Sequence, residues 1–461
     1  MKRTGLAVMA VVLIAGGVAA ATRSAPEPMA RFITDDQGRA LMLHGFNTAS
    51  SAKGTPDGLP KLTEADVERE YADMGTNFVR FLLQWRAVEP QPGVYDTKYL
   101  DQVAERVAWY GKRGYHVLLD MHQDLWGNSI TPGGEAGNGA PRWATHLDGL
   151  PVATGHWTWE MYYLEPGVIR AFDHFWNTTG EHPELMDRYA GAWKAVAARF
   201  KDDPAVIGYD LMNEPWGGSL QGAAFESGPL AELYRRCIKQ IRSVDPANWI
   251  FVEPQAVGVN WGLPTALPSF DDDRVVLAPH LYPLPLDLGD GYEGGSREWT
   301  DRTVGWWKEN MLRTAERLKA PIVLGEFGLD MTKPGSSEMV ESVLDLGDEL
   351  GMGRAYWSRD DGPWGPYTDG RAGPLVKVMD RAYPRAIGGT PTRISAEPGR
   401  LTVEFEANGS GPTEIYLPAD EFPGGGKAST GTASWDRARR ILTVQTPASG
   451  RVRLVITPGQ A

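Results

Sequence analysis

The stretch "GYDLMNEPWGG", residues 208–218, decides how the chain folds. Residues 206–212 form a short apolar run of the kind that makes a strand covered on both faces. The run stops on Asn213, Glu214 and Pro215. Proline donates no N–H, so Pro215 cannot continue a ladder and opens a loop. The same pattern returns in "LGEFG", residues 324–328, where Glu326 stands near the end of an apolar run. Six more short runs have this character: 41–46, 77–83, 115–121, 249–252, 275–280 and 354–357.

Amphipathic stretches lie between the runs. In 97–113, Leu100, Val103, Ala104, Val107 and Tyr110 share one face, with Thr97 as the expected N-cap and Gly114 as the stop. Further helices are expected over 64–74, 185–200, 230–244, 304–318 and 336–350. Continuous apolar strands alternating with helices predict an α/β fold with a parallel sheet buried on both sides. Eight of them over about 350 residues predict a (β/α)8 TIM barrel, here residues 27–385. No G-x-G-x-x-G follows the first run, which argues against a dinucleotide-binding sheet. Two regions exceed a minimal barrel. Residues 125–182 form a long insertion rich in Trp, Tyr, Phe, Gly and Pro. Residues 391–461 carry short alternating runs broken by Gly and Pro, which predict a small antiparallel β-sandwich domain.

A barrel places its active site where the strands end. The polar residues at those ends are Asn47, Arg80, His122, Asp124, Asn213, Glu214, Gln255, His280, Tyr282 and Glu326, followed by Trp357. Glu214 and Glu326 are thus expected to face one cavity from opposite sides. Two such carboxylates suit retaining glycoside hydrolysis, one donating a proton to the leaving oxygen and the other attacking the anomeric carbon. Arg80 is placed to keep Glu326 ionised, and Asn213 to hold a sugar hydroxyl beside the acid.

The bulk composition agrees with an exported, soluble catalyst. Net charge is -13 with no long basic run, which argues against a nucleic-acid partner. Seventeen tryptophans suit either a bulky core or a groove of flat rings for sugars. A basic start, an apolar segment and Ala19-x-Ala21 predict a signal peptide over residues 1–21, cleaved near Ala21, and hence secretion. The lone Cys237 falls on an apolar helical stripe and reads as core packing.

The set Arg80, His122, Asn213, Glu214, His280, Tyr282, Glu326 and Trp357 resembles glycoside hydrolase family 5. The stretches "LLDMHQDLWG", "GYDLMNEPWGG", "PHLYP" and "YPRAIGGTPTRIS" are similar to bacterial endoglycoceramidases, including their endogalactosylceramidase-like branch. This resemblance covers most of the mature chain and implies a barrel and sandwich packed as one unit. It implies Glu214 as acid/base and Glu326 as nucleophile. Arg80 and both histidines support them, Tyr282 lies near the nucleophile, and Trp357 serves as a sugar platform. It also implies a glycosphingolipid substrate met at lipid or micelle surfaces, and Lys53, within 50–60, as a glycan contact. Trp126 and Trp364 are expected nearest the scission point, with Trp306 and Trp307 along an apolar channel. No cofactor, metal or protein partner is expected, and the chain is expected to be a monomer. Three other readings stay open at this point. They are a family 5 enzyme acting on a soluble glucan or β-glucoside, a non-catalytic glycolipid-binding barrel, and a metallohydrolase using Asp120, His122 and Asp124. The last lacks an H-E-x-x-H type spacing.

Overall fold

A computed structural model describes residues 31–459 apart from 132, 133, 135 and 157, so the expected signal peptide lies outside the described residues. Eight parallel strands follow in chain order: β1 (His44–Asn47), β2 (Phe78–Leu83), β3 (His116–Met121), β4 (Val206–Asp210), β5 (Trp249–Val252), β6 (Val275–Leu277), β7 (Val323–Phe327) and β8 (Gly353–Tyr356). Each from β1 to β5 pairs with the next, and β8 pairs with both β7 and β1. The line of β6 continues as His280–Leu281, which pairs with β7. The sheet therefore closes on itself as a TIM barrel.

The longer helices are α1 (Glu64–Met74), α2 (Thr97–Gly111), α3 (Pro166–Phe175), α4 (Leu185–Phe200), α5 (Ala231–Arg242), α6 (Gly294–Leu318) and α7 (Ser336–Leu350). A capping box starts α1, with Thr63 and Asp66 each accepting the other's backbone N–H. Asp96, not Thr97, caps α2, its side chain accepting the Tyr99 N–H. Helix α6 begins at Gly294 rather than 304 because its first turns, "GGSREWTDRT", carry no apolar stripe to announce them. Leu43, Phe78, Leu118, Phe251, Val276 and Val323 fill the barrel interior, with Ile33 and Leu41 in the same cluster.

The C-terminal residues, joined by Ala40–Leu41, form two facing antiparallel sheets. One runs Ala40–Leu41, Tyr383–Ile387, Thr413–Tyr416, Ile441–Gln445, Thr432–Asp436; the other runs Gly389–Glu397, Arg400–Ala407, Gly450–Pro458, Gly426–Ala428. Leu401, Val403, Phe405, Leu442, Leu454 and Ile456 lie in the core between them. The first sheet takes in Tyr383–Ile387, ahead of the 391 start read from sequence. All five of its residues are buried, so no alternation marks it. The Tyr383 hydroxyl donates to Gly75 O at 2.8 Å, and Tyr416 packs where a Cβ on Gly75 would sit. The sandwich is thereby locked to the end of α1.

Candidate active site

Arg80, on β2, is fully buried and uses all five of its N–H donors. Nε donates to Asp210 at 2.7 Å. Nη1 donates to Asn47 at 3.0 Å and Glu326 at 2.7 Å. Nη2 donates to Asn213 at 2.9 Å and Glu253 at 2.8 Å, and Asp120 lies 3.0 Å from it. One guanidinium thus fixes six residues from five strand ends. The burial that penalises its charge is outweighed by Asp120, Asp210, Glu253 and Glu326, which raise its pKa well above the ordinary value.

Glu326 is held from two sides, by Arg80 on Oε1 and by the Tyr282 hydroxyl on Oε2 at 3.0 Å. Its glycine neighbours are dictated by close approach. A Cβ on Gly325 would stand 3.0 Å from His280 Nε2, and one on Gly328 would stand 2.3 Å from the Trp357 carbonyl oxygen.

Glu214 has φ +41, in the left-handed region that non-glycine residues rarely occupy. Three contacts hold it there. Glu253 accepts its N–H at 2.8 Å, and Gln123 Nε2 donates to the carbonyls of Asn213 and Glu214 at 2.8 and 3.0 Å. Its Oε1 meets Asn260 Nδ2 at 2.8 Å and His280 Nδ1 at 2.9 Å. Burial raises the Glu214 carboxyl above its ordinary value, opposed by His280 and reinforced by Glu326 and Asp124. One carboxylate oxygen each of Glu214 and Glu326 and one ring nitrogen of His280 lie within 4.8 Å of one another. That spacing matches the short carboxyl separation, about 5–5.5 Å, of retaining glycosidases. Burial disfavours charge on His280, but Glu253 and Glu326 outweigh it and hold the ring well above its ordinary pKa.

A second group lies beside the acids. His122 Nδ1 meets Asp120 at 2.8 Å, and its ring stacks on Trp357 at 5.4 Å. Lys53 Nζ lies 2.8 Å from Asp124 and 4.2 Å from the Trp357 ring centre. Burial alone would raise the Asp124 carboxyl, but Lys53 and His122 hold it well below the carboxylate range. Lys53, Asp124, Asn138, Trp159 and Tyr162 line a cleft of about 310 Å³.

Three expected site residues fall elsewhere. Gln255 spends its side chain on loop backbone, accepting from Gly222 N and donating to Val257 O. Trp126 is only 1% exposed, donates to Ala144 O and packs on Phe172 and Phe175. It is a core residue of the insertion and not a channel wall, because the ring completes an aromatic cluster with Trp85. Trp364 is half-buried on the loop after β8, with none of the site contacts described above. Trp307 is buried behind His280, its Nε1–H donating to the His280 carbonyl, whereas Trp306 is exposed. Sequence reasoning missed Glu253, Asp210 and Asn260. Glu253-Pro254 repeats the acid-proline ending of β4, and that repetition was the available signal.

A closed parallel barrel with two acids meeting at its strand ends is the architecture of a glycoside hydrolase. The chain belongs to glycosyl hydrolase family 5. The family's Cellulase profile matches residues 34–362, and the Glycoside hydrolase family 5 C-terminal domain matches 381–456. Endoglycoceramidase I of Rhodococcus hoagii is 31% identical over 93% of this chain and 87% of that protein. Endo-glycoceramidase II from Rhodococcus sp., solved with ganglioside GM3, superposes with a TM-score of 0.91 at 55% identity, over 93% of this chain and 100% of that one. The same enzyme has also been solved as a lactosyl-enzyme intermediate. An endogalactoceramidase structure aligns at TM-score 0.75 and 26% identity, over 94% of this chain and 100% of that one.

Proposed function

We propose that this glycoside hydrolase cuts the β-glycosidic bond between the oligosaccharide and the ceramide of glycosphingolipids, with retention of configuration. Glu326 attacks the anomeric carbon while Glu214 gives its proton to the departing ceramide oxygen. Water, deprotonated by Glu214, then attacks the glycosyl–Glu326 ester, releasing the oligosaccharide and restoring both acids. Arg80 and Tyr282 stabilise the returning Glu326 carboxylate. Asn213 retains one amide N–H beyond its bond to the Gln123 carbonyl, enough to hold the sugar 2-hydroxyl. Lys53 and Asp124 take hydroxyls of the same sugar, and Trp357 offers its ring face.

The observation that carries this reading is the pair of acids within 4.8 Å in unlike surroundings, one bound by Arg80 and one raised by burial. Similarity to the GM3-binding relative, at 55% identity against 26% for the endogalactoceramidase, supports a preference for glucosyl-ceramide linkages. Exposed apolar side chains gather on the loops and helix after β3, β5 and β6. They include Trp159 (46% exposed), Leu164, Leu263, Leu288 and Trp306 (51% exposed). Apolar area of this kind, beside a polar sugar cleft, suits the ceramide end and transient contact with a lipid surface. One chain supplies every site residue, in keeping with a monomer. Export after cleavage near Ala21 is part of the same proposal, checked by N-terminal sequencing of protein recovered from medium.

The decisive assay is mass analysis of products from GM3 and from a galactosylceramide-series lipid. Intact oligosaccharide and intact ceramide from GM3, formed faster than from the galactosyl lipid, is the expected result. Cleavage between sugars, or activity on soluble glucan alone, would overturn the reading.

A further inference from the structure

The aromatic insertion holds a histidine cluster that plays no part in the hydrolysis. His174, near the end of α3, is fully buried. Its ring stands 4.7 Å from that of His182 at an interplanar angle of 85°, and His146 stacks on His182 at 3.7 Å. One nitrogen each from His174 and His182 and one oxygen from Glu181 lie within 4.8 Å of one another. Two donors about 2 Å from one ion stand no more than about 4 Å apart, so an ion would draw these three groups slightly together.

The tautomer of His174 is set by its neighbours. Asp148 Oδ2 lies 2.9 Å from Nε2 and also accepts from Arg170 at 2.6 Å, so Asp148 stays an anion and Nε2 carries the proton. Nδ1 keeps its lone pair, which accepts from the Thr179 hydroxyl at 2.9 Å and is free for an ion once that rotatable hydroxyl turns away. A carboxylate on the far nitrogen of an imidazole is the arrangement that orients metal-binding histidines. Glu181 is 63% exposed, which gives an ion a way in from solvent. Two other acid clusters differ. Asp120, Asp210 and Glu253 already surround the Arg80 guanidinium, and Glu214 and Glu326 are the reacting acids with His280 beside both.

We propose that His174, His182 and Glu181 bind one borderline divalent ion, with zinc the best match to two imidazoles and a carboxylate and with water completing the coordination. The ion is structural. It would tie the end of α3 to the residue 181–182 turn and, through Asp148, to the segment before it. Helix α3 in turn braces the Glu214 loop. Asp173 accepts from the backbone N–H and hydroxyl of Ser219, both at 2.8 Å, and Trp176 donates to Trp216 O at 2.7 Å.

The test uses untagged full-length protein freed of metal by chelator, titrated with zinc chloride by calorimetry and followed by thermal melting. The proposal expects one equivalent bound per chain and a Tm that rises with zinc. His182→Ala and the exposed Glu181→Gln should each weaken zinc binding at least tenfold and erase the rise. Glu181→Gln decides the matter if His182→Ala does not fold. Wild-type protein that takes up less than half an equivalent, or a folded variant that titrates like wild type, would overturn it.

Discussion

At the residue scale, the site is organised around a charge rather than a cavity. Arg80 ties Glu326 and Asn213 to one another, and Glu253 ties Arg80 to the backbone of Glu214. Both acids therefore take their position from a shared network, and a left-handed residue such as Glu214, which costs about 1–3 kcal/mol, persists because its surroundings over-determine it. Glu253 touches no substrate in this scheme and acts by positioning. Glu253→Gln keeps the shape but loses the charge on two hydrogen bonds. It should lower kcat on the order of 10–100-fold, the worth of a charged hydrogen bond, with KM nearly unchanged. Steady-state kinetics on a soluble aryl lactoside checks this, and a rise in KM at constant kcat would contradict the positioning role.

At the scale of elements, the barrel was legible because parallel strands covered on both faces read as continuous apolar runs, and Trp249–Val252 comes out with the bounds read from sequence. The acids were legible for the same reason: a polar residue ending such a run has to sit at the mouth. The insertion was not. Trp126 and Trp159 are the same residue type in the same aromatic-rich stretch, yet one is core and the other stands 46% exposed. Only tertiary packing separates them, and no periodicity reports it. Glu253 was hidden differently, since a partner of Arg80 is chosen in space and not along the chain. The exposed apolar set on the loops and on α6 also gives a prediction. Trp306→Ser should cut turnover of GM3 in vesicles several-fold and leave a soluble aryl lactoside unaffected. Equal loss on both substrates would refute a role in lipid contact.

At the scale of the whole molecule, buried titratable groups outside the acid pair set how stability follows pH. Burial, with Glu160 and Glu214, pushes Asp287 up to about 8. An acid raised in the fold stabilises fully below its ordinary value of 3.8, loses that contribution as pH rises, and has lost it above about 8. Burial pushes His116 down to about 4, and a histidine lowered in the fold contributes the opposite slope, gaining between 4 and its ordinary 6.5. The two offset one another up to 6.5, above which Asp287 acts alone of the pair, joined in the same direction by His280. Urea midpoints should fall from about pH 6.5 to 8, and Asp287→Asn should make that fall shallower; an unaltered fall would show that Asp287 is not its source. The reaction is likewise a property of the assembled barrel, since the acids arrive from β4 and β7 on opposite walls. The most direct test is covalent trapping with 2-deoxy-2-fluoro-lactosyl fluoride, followed by digestion and peptide mass analysis. A single lactosyl adduct on Glu326, absent from Glu326→Gln, is the predicted result. An adduct on another residue, or turnover that persists in Glu326→Gln, would contradict it.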